Sequence, residues 1–353
     1  MAPLLRLLAQ TPGIQSRICV TAQHREMLDA VLKLFKLKPD YDLDIMRHGQ
    51  SLTDISAAAL RGLDEVLAEL RPDMLLVHGD TTTTFIGALA AFYKRVPLGH
   101  VEAGLRTADK FAPYPEEMNR RLTGSLADWH FAPSAGAAQN LMREGVAAER
   151  IFITGNTVID ALLETIKQPC ALSGLGLDNV DWQRRVLLLT CHRRENWGEP
   201  MAEIFSAVAD ILHDFDDVEI VYPVHKNPLI RGLAQEYLAG LPRLHITEPL
   251  SYLPFCHIMQ SCHLVLTDSG GLQEEAPALG KPVLVLREVT ERPEAIEAGT
   301  VRLAGIRRDT VYTAVAGLLQ NRDEYAAMAT SINPYGDGHA AERIRDTLLK
   351  VGI

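Results

Sequence analysis

The stretch LVLTDSGGLQEEAPALG, residues 264–280, decides the fold. Apolar, strand-prone residues run into an acid, a serine and two glycines, and a helix-forming segment follows at once. That is the order of a strand, a tight turn and a helix, the opening of a βαβ unit. Ser269, Gly270 and Gly271 then stand where a strand ends and a helix begins. Glycines at that point let backbone N–H groups approach an anion at the positive end of the helix dipole, so the turn is a diphosphate cradle in outline. Glu274 and Glu275 fall in the first helical turn, where a carboxylate can accept hydrogen bonds from a ribose diol. A plain strand-to-helix turn, its acids complementing the dipole, would use the same residue types, because short glycine motifs recur by chance.

Outward from this stretch the same alternation continues to both ends of the chain. Strand candidates in the second half are VLLLTCHRRE, EIVYPVH, LHITEP, LVLTDSGG and PVLVLRE, and in the first half ICVTA, YDLDIM, MLLVHGD, LGHVEAG, HFAPS and IFITGN. Amphipathic segments of helix length fill the intervals, so the expected class is α/β with parallel sheets. A chain of 353 residues is long enough for two such domains. The Gly-rich, turn-rich segment PCALSGLGLDNVD, 169–181, is the candidate hinge. Residues 3 to 10 read as an amphipathic helix with no strand before it, whereas a doubly wound domain opens with a strand and a loop.

Composition sets the outer limits. Hydrophobic residues at 47% and charged residues at 23% describe a soluble globular chain. A formal charge of -10 argues against nucleic acid or anionic membrane as partners, so any anionic ligand needs a local cluster of Arg and His. Arg6 interrupts the short apolar run MAPLLRLLAQ, so no signal peptide is expected, and no stretch approaches the roughly 18 apolar residues of a membrane helix. Five cysteines, odd in number and mostly in apolar segments, suit reduced thiols of the cytoplasm. Cys256, His257, Cys262 and His263 in CHIMQSCH match no standard zinc spacing, and packed thiols on a helix are the better expectation.

Other polar residues gather at predicted strand ends. CHRREN places His192, Arg193, Arg194 and Glu195 at one, His225 and Lys226 follow VYP at another, and Arg292 lies in TERPE. Cationic donors in such positions suit phosphate, and a guanidinium can grip its oxygens in pairs. In the first half Asp80, Glu102 and Glu116 lie at or just beyond strand ends. Carboxylates with separated pKa values are what proton abstraction from carbon, coupled to departure of a leaving group, requires. Asp80 precedes the Thr81 to Thr84 run and is also expected to cap the helix there.

In order along the chain, TAQHREMLD, LVHGDTTTT, GHVEAGLRT, PEEMNRRLTG, ITGNTVIDAL, HRREN, VYPVHKNP, YLPF, the 264–288 stretch, TERPEAIEAGT and NPYGDGHA resemble the non-hydrolysing UDP-N-acetylglucosamine 2-epimerases of bacteria. The resemblance implies two Rossmann-like domains of glycosyltransferase-B-like fold with the active site in the cleft between them, residues 1–168 and 169–335. It places the last helix, 336–353, back on the first domain. It implies a cytoplasmic homodimer that interconverts UDP-N-acetylglucosamine and UDP-N-acetylmannosamine for surface polysaccharides, with no cofactor and no metal. The C2 proton is removed as UDP leaves C1, giving 2-acetamidoglucal, and UDP then re-adds with protonation from the opposite face.

Residue by residue, Asp80, Glu102 and Glu116 match the family's catalytic carboxylates, with acid and base not distinguished, and His192 matches a histidine beside the diphosphate. Ser269, Gly270 and Gly271 match its phosphate loop, Glu275 its ribose partner, Arg292 a phosphate contact, and Phe255 lies in the uracil-side segment. Gln23, Gln50, Arg193 and His225 match positions tied to a second, regulatory nucleotide-sugar site in some members. Two departures stand out. Leu250 occupies a place where relatives commonly carry Gln, and the sequence starts at the MAP that follows the family's first strand and its FGTRPEAIK-type loop. A glycosyltransferase on the same fold, a hydrolysing epimerase that releases free sugar, and a chain that only binds UDP-sugar are the alternatives left open at this stage.

Overall fold

The computed structural model describes residues 1–23, 25–107 and 109–352. The chain divides into two compact units, one formed by Met1–Ala161 with Tyr335–Ile353 and the other by Leu162–Pro334. The break falls inside the helix Thr157–Thr165, and the segment 169–181 lies wholly within the second unit.

In the first unit, β1 (Cys19–Val20) and β2 (Tyr41–Asp42) form a parallel pair. A separate parallel sheet of four strands follows in sequence order: β3 (Leu75–His78), β4 (Leu98–Val101), β5 (Trp129–Ala132) and β6 (Ile151–Ile153). β1 and β3 do not pair, and no strand among the described residues joins the two sheets. β4 is buried along its whole length, which accounts for the near-continuous apolar run LGHV. Its single polar side chain, His100, is fully buried and kept neutral: burial pushes its pKa down to about 3, and Nε2 lies 2.8 Å from the Gly79 carbonyl oxygen.

The N-terminal helix Ala2–Ala9 buries Pro3, Leu4 and Leu8. Leu4 and Leu8 share one apolar cluster with Ala341, Ile344 and Leu348 of the last helix, Ala340–Lys350. That returning helix begins without a capping side chain of its own. Asp160 supplies the missing acceptor, taking the backbone N–H groups of Ala340 and Ala341 at 3.2 and 2.8 Å. Just before it, the carbonyl of the fully buried Tyr335 accepts the Asn156 N–H at 2.7 Å, which ties residue 335 to the first unit.

The second unit holds one six-stranded parallel sheet. Its strands are β7 (Arg185–Thr190), β8 (Val218–Pro223), β9 (Leu244–Thr247), β10 (Leu264–Thr267), β11 (Val283–Val285) and β12 (Val301–Leu303). The spatial order β12-β11-β10-β7-β8-β9 is the doubly wound arrangement, with its reversal of direction between β7 and β10. Leu187, Leu188, Leu189, Ile220, Val221 and Leu264 to Leu266 are all fully buried, because helices cover both faces of the sheet. β12 was not among the expected strands; three residues that include a partly exposed Arg302 are too short for an apolar run to stand out.

Candidate active site

Open parallel sheets bind ligands beyond the carboxyl ends of their strands, at the point where the strand order reverses. In the second unit that point lies between β7, which runs into Cys191 and His192, and β10, which runs into Asp268 and the Ser269-Gly270-Gly271 turn. The two glycines are not there for the chain's own convenience. Neither adopts the left-handed conformation, and a Cβ at Gly270 would meet nothing closer than 3.4 Å, at Gly271 nothing closer than 3.8 Å. A side chain would therefore fit both positions. The space beside the backbone is what glycine preserves there, as an approaching phosphate requires.

Beneath this turn the fully buried Asp268 ties the two strand ends together. Its Oδ2 accepts the backbone N–H groups of His192 and Arg193, each at 2.8 Å, and the Asn196 side-chain amide at 3.1 Å. His192 itself is exposed over 42% of its side chain, and its ring stacks on His225 at a centroid distance of 5.9 Å. Burial lowers the His225 pKa, with His192 adding to the effect.

Of the expected phosphate grips, Arg193 donates to the Asp268 carbonyl at 3.1 Å and to Glu291 at 2.9 Å. Glu291 also pairs with Arg287, which in turn holds Glu195 at 2.6 Å. Burial alone would raise the Glu291 pKa, but Arg193 and Arg287 outweigh it and hold the carboxyl at about 2. Arg292 pairs with the buried Glu274 at 2.5 Å. Arg194 lies over the Trp197 ring, 5.9 Å from its centre, so it serves local packing in this state. Sequence reading missed Glu291 and Arg287. Their only signal was an unusual density of charge in REVTERPE, residues 287–294.

Glu275 is buried, and the Tyr252 hydroxyl donates to it at 2.5 Å. Tyr252 opens the helix Tyr252–Ser261, which carries the half-buried Phe255, so this one bond fastens the expected ribose and uracil-side segments to each other. Burial raises the Glu275 pKa to about 7; the Tyr252 bond opposes the rise and Glu274 reinforces it. Because the folded-state value lies above the unfolded one, the carboxyl favours folding fully at low pH, and that contribution is lost as pH rises from about 4.5 through about 7. Glu275→Gln should therefore gain stability over the native chain on going from pH 5 to pH 8, by on the order of 3 kcal/mol. Urea unfolding of both proteins at the two pH values measures this. Parallel curves would rule out a perturbed Glu275.

Cys256 and Cys262 on this helix and at its end are buried thiols, with burial pushing Cys262 up to about 12. His257 and His263 turn to different partners, the Gln168 carbonyl at 2.8 Å and the ring of Tyr325.

The first unit brings Asp80 and Glu102 to the carboxyl ends of β3 and β4, and Glu116 opens the helix to which Asp80 is bonded. Asp80 does not cap the helix Thr82–Lys94; Thr81 does, its hydroxyl accepting the Thr84 N–H at 3.3 Å. Asp80 instead takes a hydrogen bond from the buried Arg120 at 2.7 Å, and its backbone carbonyl accepts the Asn119 amide at 3.0 Å. A caesura of one residue explains the difference: the side chain with cap geometry is the one next to the helix, which frees the acid. Asn119 ends the first turn of the helix Glu116–Leu126 and Arg120 begins the second, so these bonds hold Asp80 beside the helix end that begins with Glu116. The neighbouring Glu117 is fully buried and accepts Arg121 at 2.6 Å and the Thr107 N–H at 3.0 Å.

Glu102 follows β4, next to β3 in register, and its Oε2 would touch a Cβ placed on Gly79 at 3.2 Å. Its Oε1 accepts the Asn156 amide at 3.3 Å, and Oε2 lies 3.4 Å from His78 Nε2. The Glu102 backbone sits at φ 64°, a conformation that non-glycine residues rarely hold and that concentrates at functional sites. Of the positions matched to a regulatory site, Gln23 accepts the Thr83 hydroxyl at 3.3 Å. Gln50 closes its own turn through the Arg47 N–H at 2.6 Å and the Ile45 carbonyl at 2.9 Å.

These features define a two-unit α/β protein with parallel, Rossmann-like sheets of the glycosyltransferase-B-like class, carrying an anion-ready turn in one unit and a carboxylate cluster in the other. A family model described as UDP-N-acetylglucosamine 2-epimerase matches residues 6–349, and the chain belongs to that family. It is 53% identical to the UDP-N-acetylglucosamine 2-epimerase of Escherichia coli K12, covering 99% of this chain and 94% of that one. The Bacillus subtilis enzyme of the same name is 52% identical, with 99% and 91% covered. Among solved structures, the Neisseria meningitidis UDP-GlcNAc 2-epimerase bound to UDP-GlcNAc superposes with a TM-score of 0.91 at 45% identity, covering 99% of this chain and 96% of that one. No helix among the described residues is long and apolar enough to cross a membrane.

Proposed function

We propose that this chain interconverts UDP-N-acetylglucosamine and UDP-N-acetylmannosamine by inverting C2, acting in the cytoplasm as a homodimer and supplying precursor for surface polysaccharide. The observation that carries the reading is the glycine pair at 270–271, kept open where a Cβ would fit, at the sheet's switch point and next to His192. A diphosphate bound there has its leaving group met by backbone N–H groups and an imidazole. The C2 hydrogen is too weakly acidic for simple deprotonation, so departure of UDP from C1 must drive the step. One carboxylate among Asp80, Glu102 and Glu116 takes the proton from C2 while the C1–O bond breaks, giving 2-acetamidoglucal and UDP. UDP then adds back to C1, and an acid on the opposite face delivers a proton to C2. No cofactor is needed, since the electrons leave with the phosphate oxygen and return with it. Gln23, Gln50, Arg193 and His225 belong to the same reading as contacts for a second, activating nucleotide sugar.

The test is incubation with UDP-N-acetylglucosamine alone in D2O, following C2 by proton NMR together with free UDP. Deuterium at C2 with accumulating UDP-N-acetylmannosamine is the expected result. Free N-acetylmannosamine with stoichiometric UDP would instead make the chain a hydrolysing enzyme, and an undisturbed C2 proton despite UDP binding would reduce it to a binding protein.

A further inference from the structure

We propose that Asp268 is a positioning residue for the reaction: its free carboxylate oxygen holds the proton of His192 on Nδ1 and thereby presents Nε2 to the leaving phosphate. This role rests on the epimerase activity proposed above, while the tautomer rests on the geometry of the second unit alone.

Asp268 is fully buried, yet its two oxygens are treated unequally. Oδ2 is saturated by two backbone N–H groups and the Asn196 amide. Oδ1 receives no aligned hydrogen bond, although it is buried, and His192 Nδ1 stands 3.2 Å from it. A buried carboxylate oxygen left without a donor costs free energy, so a nearby donor that can reach it by a small ring rotation has reason to do so. In sites without substrate such bonds are often long or poorly aligned and tighten on binding.

Of the side chains around it, His192 is the one whose ring nitrogen stands 3.2 Å from Oδ1, and the Cys191 thiol, also beside the carboxylate, is a weak donor. Cys191 is buried, lies within hydrogen-bond range of the Asn196 amide and also bonds the Asp268 carboxylate; burial, with that carboxylate, pushes the thiol pKa well up. Arg193 reaches the Asp268 backbone carbonyl and Glu291, not Oδ1. His225 stacks on the His192 ring at an interplanar angle of 18° and uses its Nδ1 to accept the Asn227 N–H at 3.1 Å. The backbone bonds to Oδ2 set the height and orientation of the carboxylate, while the loop that carries His192 hangs from those same bonds. A one-sided arrangement of this kind selects a single imidazole tautomer, the Nδ1–H form, and leaves Nε2 on the exposed side of the ring. During turnover the bare Nε2 of that tautomer takes a proton from solvent, the resulting imidazolium gives it to the departing phosphate oxygen as the C1–O bond breaks, and Nε2 recovers it when UDP adds back. Nδ1–H stays with Asp268 throughout.

The direct test is the tautomer of His192 in the unmodified protein, read by nitrogen-15 NMR at a pH where the ring is neutral, with His192→Gln used to assign the signals. The expected spectrum has a pyrrole-like Nδ1 and a pyridine-like Nε2. The opposite pattern overturns the proposal, and because no turnover is involved this result is independent of whether the chain epimerises anything. The second test is Asp268→Asn, whose amide oxygen can still accept the backbone N–H groups while its NH2 turns a donor toward Nδ1. The expected outcome is a His192 ring switched toward Nε2–H and kcat lowered about 100-fold, with the Kd for UDP within about threefold. A residue that merely anchored the loop would weaken UDP binding and leave the tautomer alone. That outcome, or a kcat within threefold of the native value with UDP binding intact, would overturn the assignment. Asp268→Glu, which keeps the charge, is expected to restore the Nδ1–H tautomer in part, separating the effect of charge from that of packing.

Discussion

Glu102→Gln is expected to lower kcat by about three orders of magnitude while UDP binds as before and the melting temperature moves by no more than a few degrees. The substitution is nearly isosteric. A glutamine Oε1 can still accept the Asn156 amide, which native Glu102 takes at 3.3 Å, so the side chain stays where it is. What disappears is the ability to hold a proton in exchange with carbon. His78 cannot take over, because burial above all holds its pKa well below the usual imidazole range and keeps the ring neutral. The left-handed backbone at φ 64° points the same way, since a fold would shed that strain at this position if the side chain had no task. Loss of deuterium incorporation at C2 together with kcat is the outcome that fits. A variant within tenfold of the native kcat would remove Glu102 from the acid–base roles and leave Asp80 and Glu116 to carry them.

The largest effect on stability is expected at Gly104, two residues further on. Gly104 has φ 92°, and a Cβ there would lie 2.3 Å from the backbone oxygen of Ala137 and 3.0 Å from Leu141 Cδ1. Neither neighbour can move cheaply. Ala137 is in the helix Ala135–Arg143, and the Gly104 carbonyl is itself held by the Asn140 amide at 3.0 Å. Gly104→Ala should therefore cost more than about 3 kcal/mol, seen as a fall of roughly 10 °C in the melting temperature. Any protein that still folds should also lose about 100-fold in kcat, because displacing this loop displaces Glu102. Gly13→Ala provides the control. Gly13 has a similar φ of 85° but nothing within 4 Å of its missing Cβ, so only the conformational cost of about 1 kcal/mol applies. Equal melting points for the two variants would mean that the Gly104 loop yields to its neighbours, and the site is not pinned there.

Much of this molecule is written locally. The second unit's strands are apolar runs bounded by turn residues, and Leu187 to Leu189 or Leu264 to Leu266 announce themselves because helices cover both faces of the sheet. The positions of Asp80, Glu102, His192 and the Ser269 turn at strand ends were legible for the same reason, since a strand followed by Gly, Asp or His marks its own carboxyl end. The short β12 was not legible, because three residues cannot establish a period. Nor was the capping of the helix Thr82–Lys94: Asp80 and Thr81 are both good caps on paper, and only the reach of Arg120 from a helix forty residues away drew the acid off.

The sequence by itself therefore determined the α/β class and the twofold organisation, because these depend on residue types at fixed local spacings, and it named the candidate site residues. Only the tertiary structure decided how those residues are employed. It joined Tyr252 to Glu275 and Asp160 to the start of the returning helix, and it bound Arg292 to Glu274 where an open phosphate grip had been expected. It also left one oxygen of Asp268 facing His192. The physical reason is that a buried charge must find its partner wherever the fold brings one within about 3 Å, and that distance is set by packing between segments far apart in the chain.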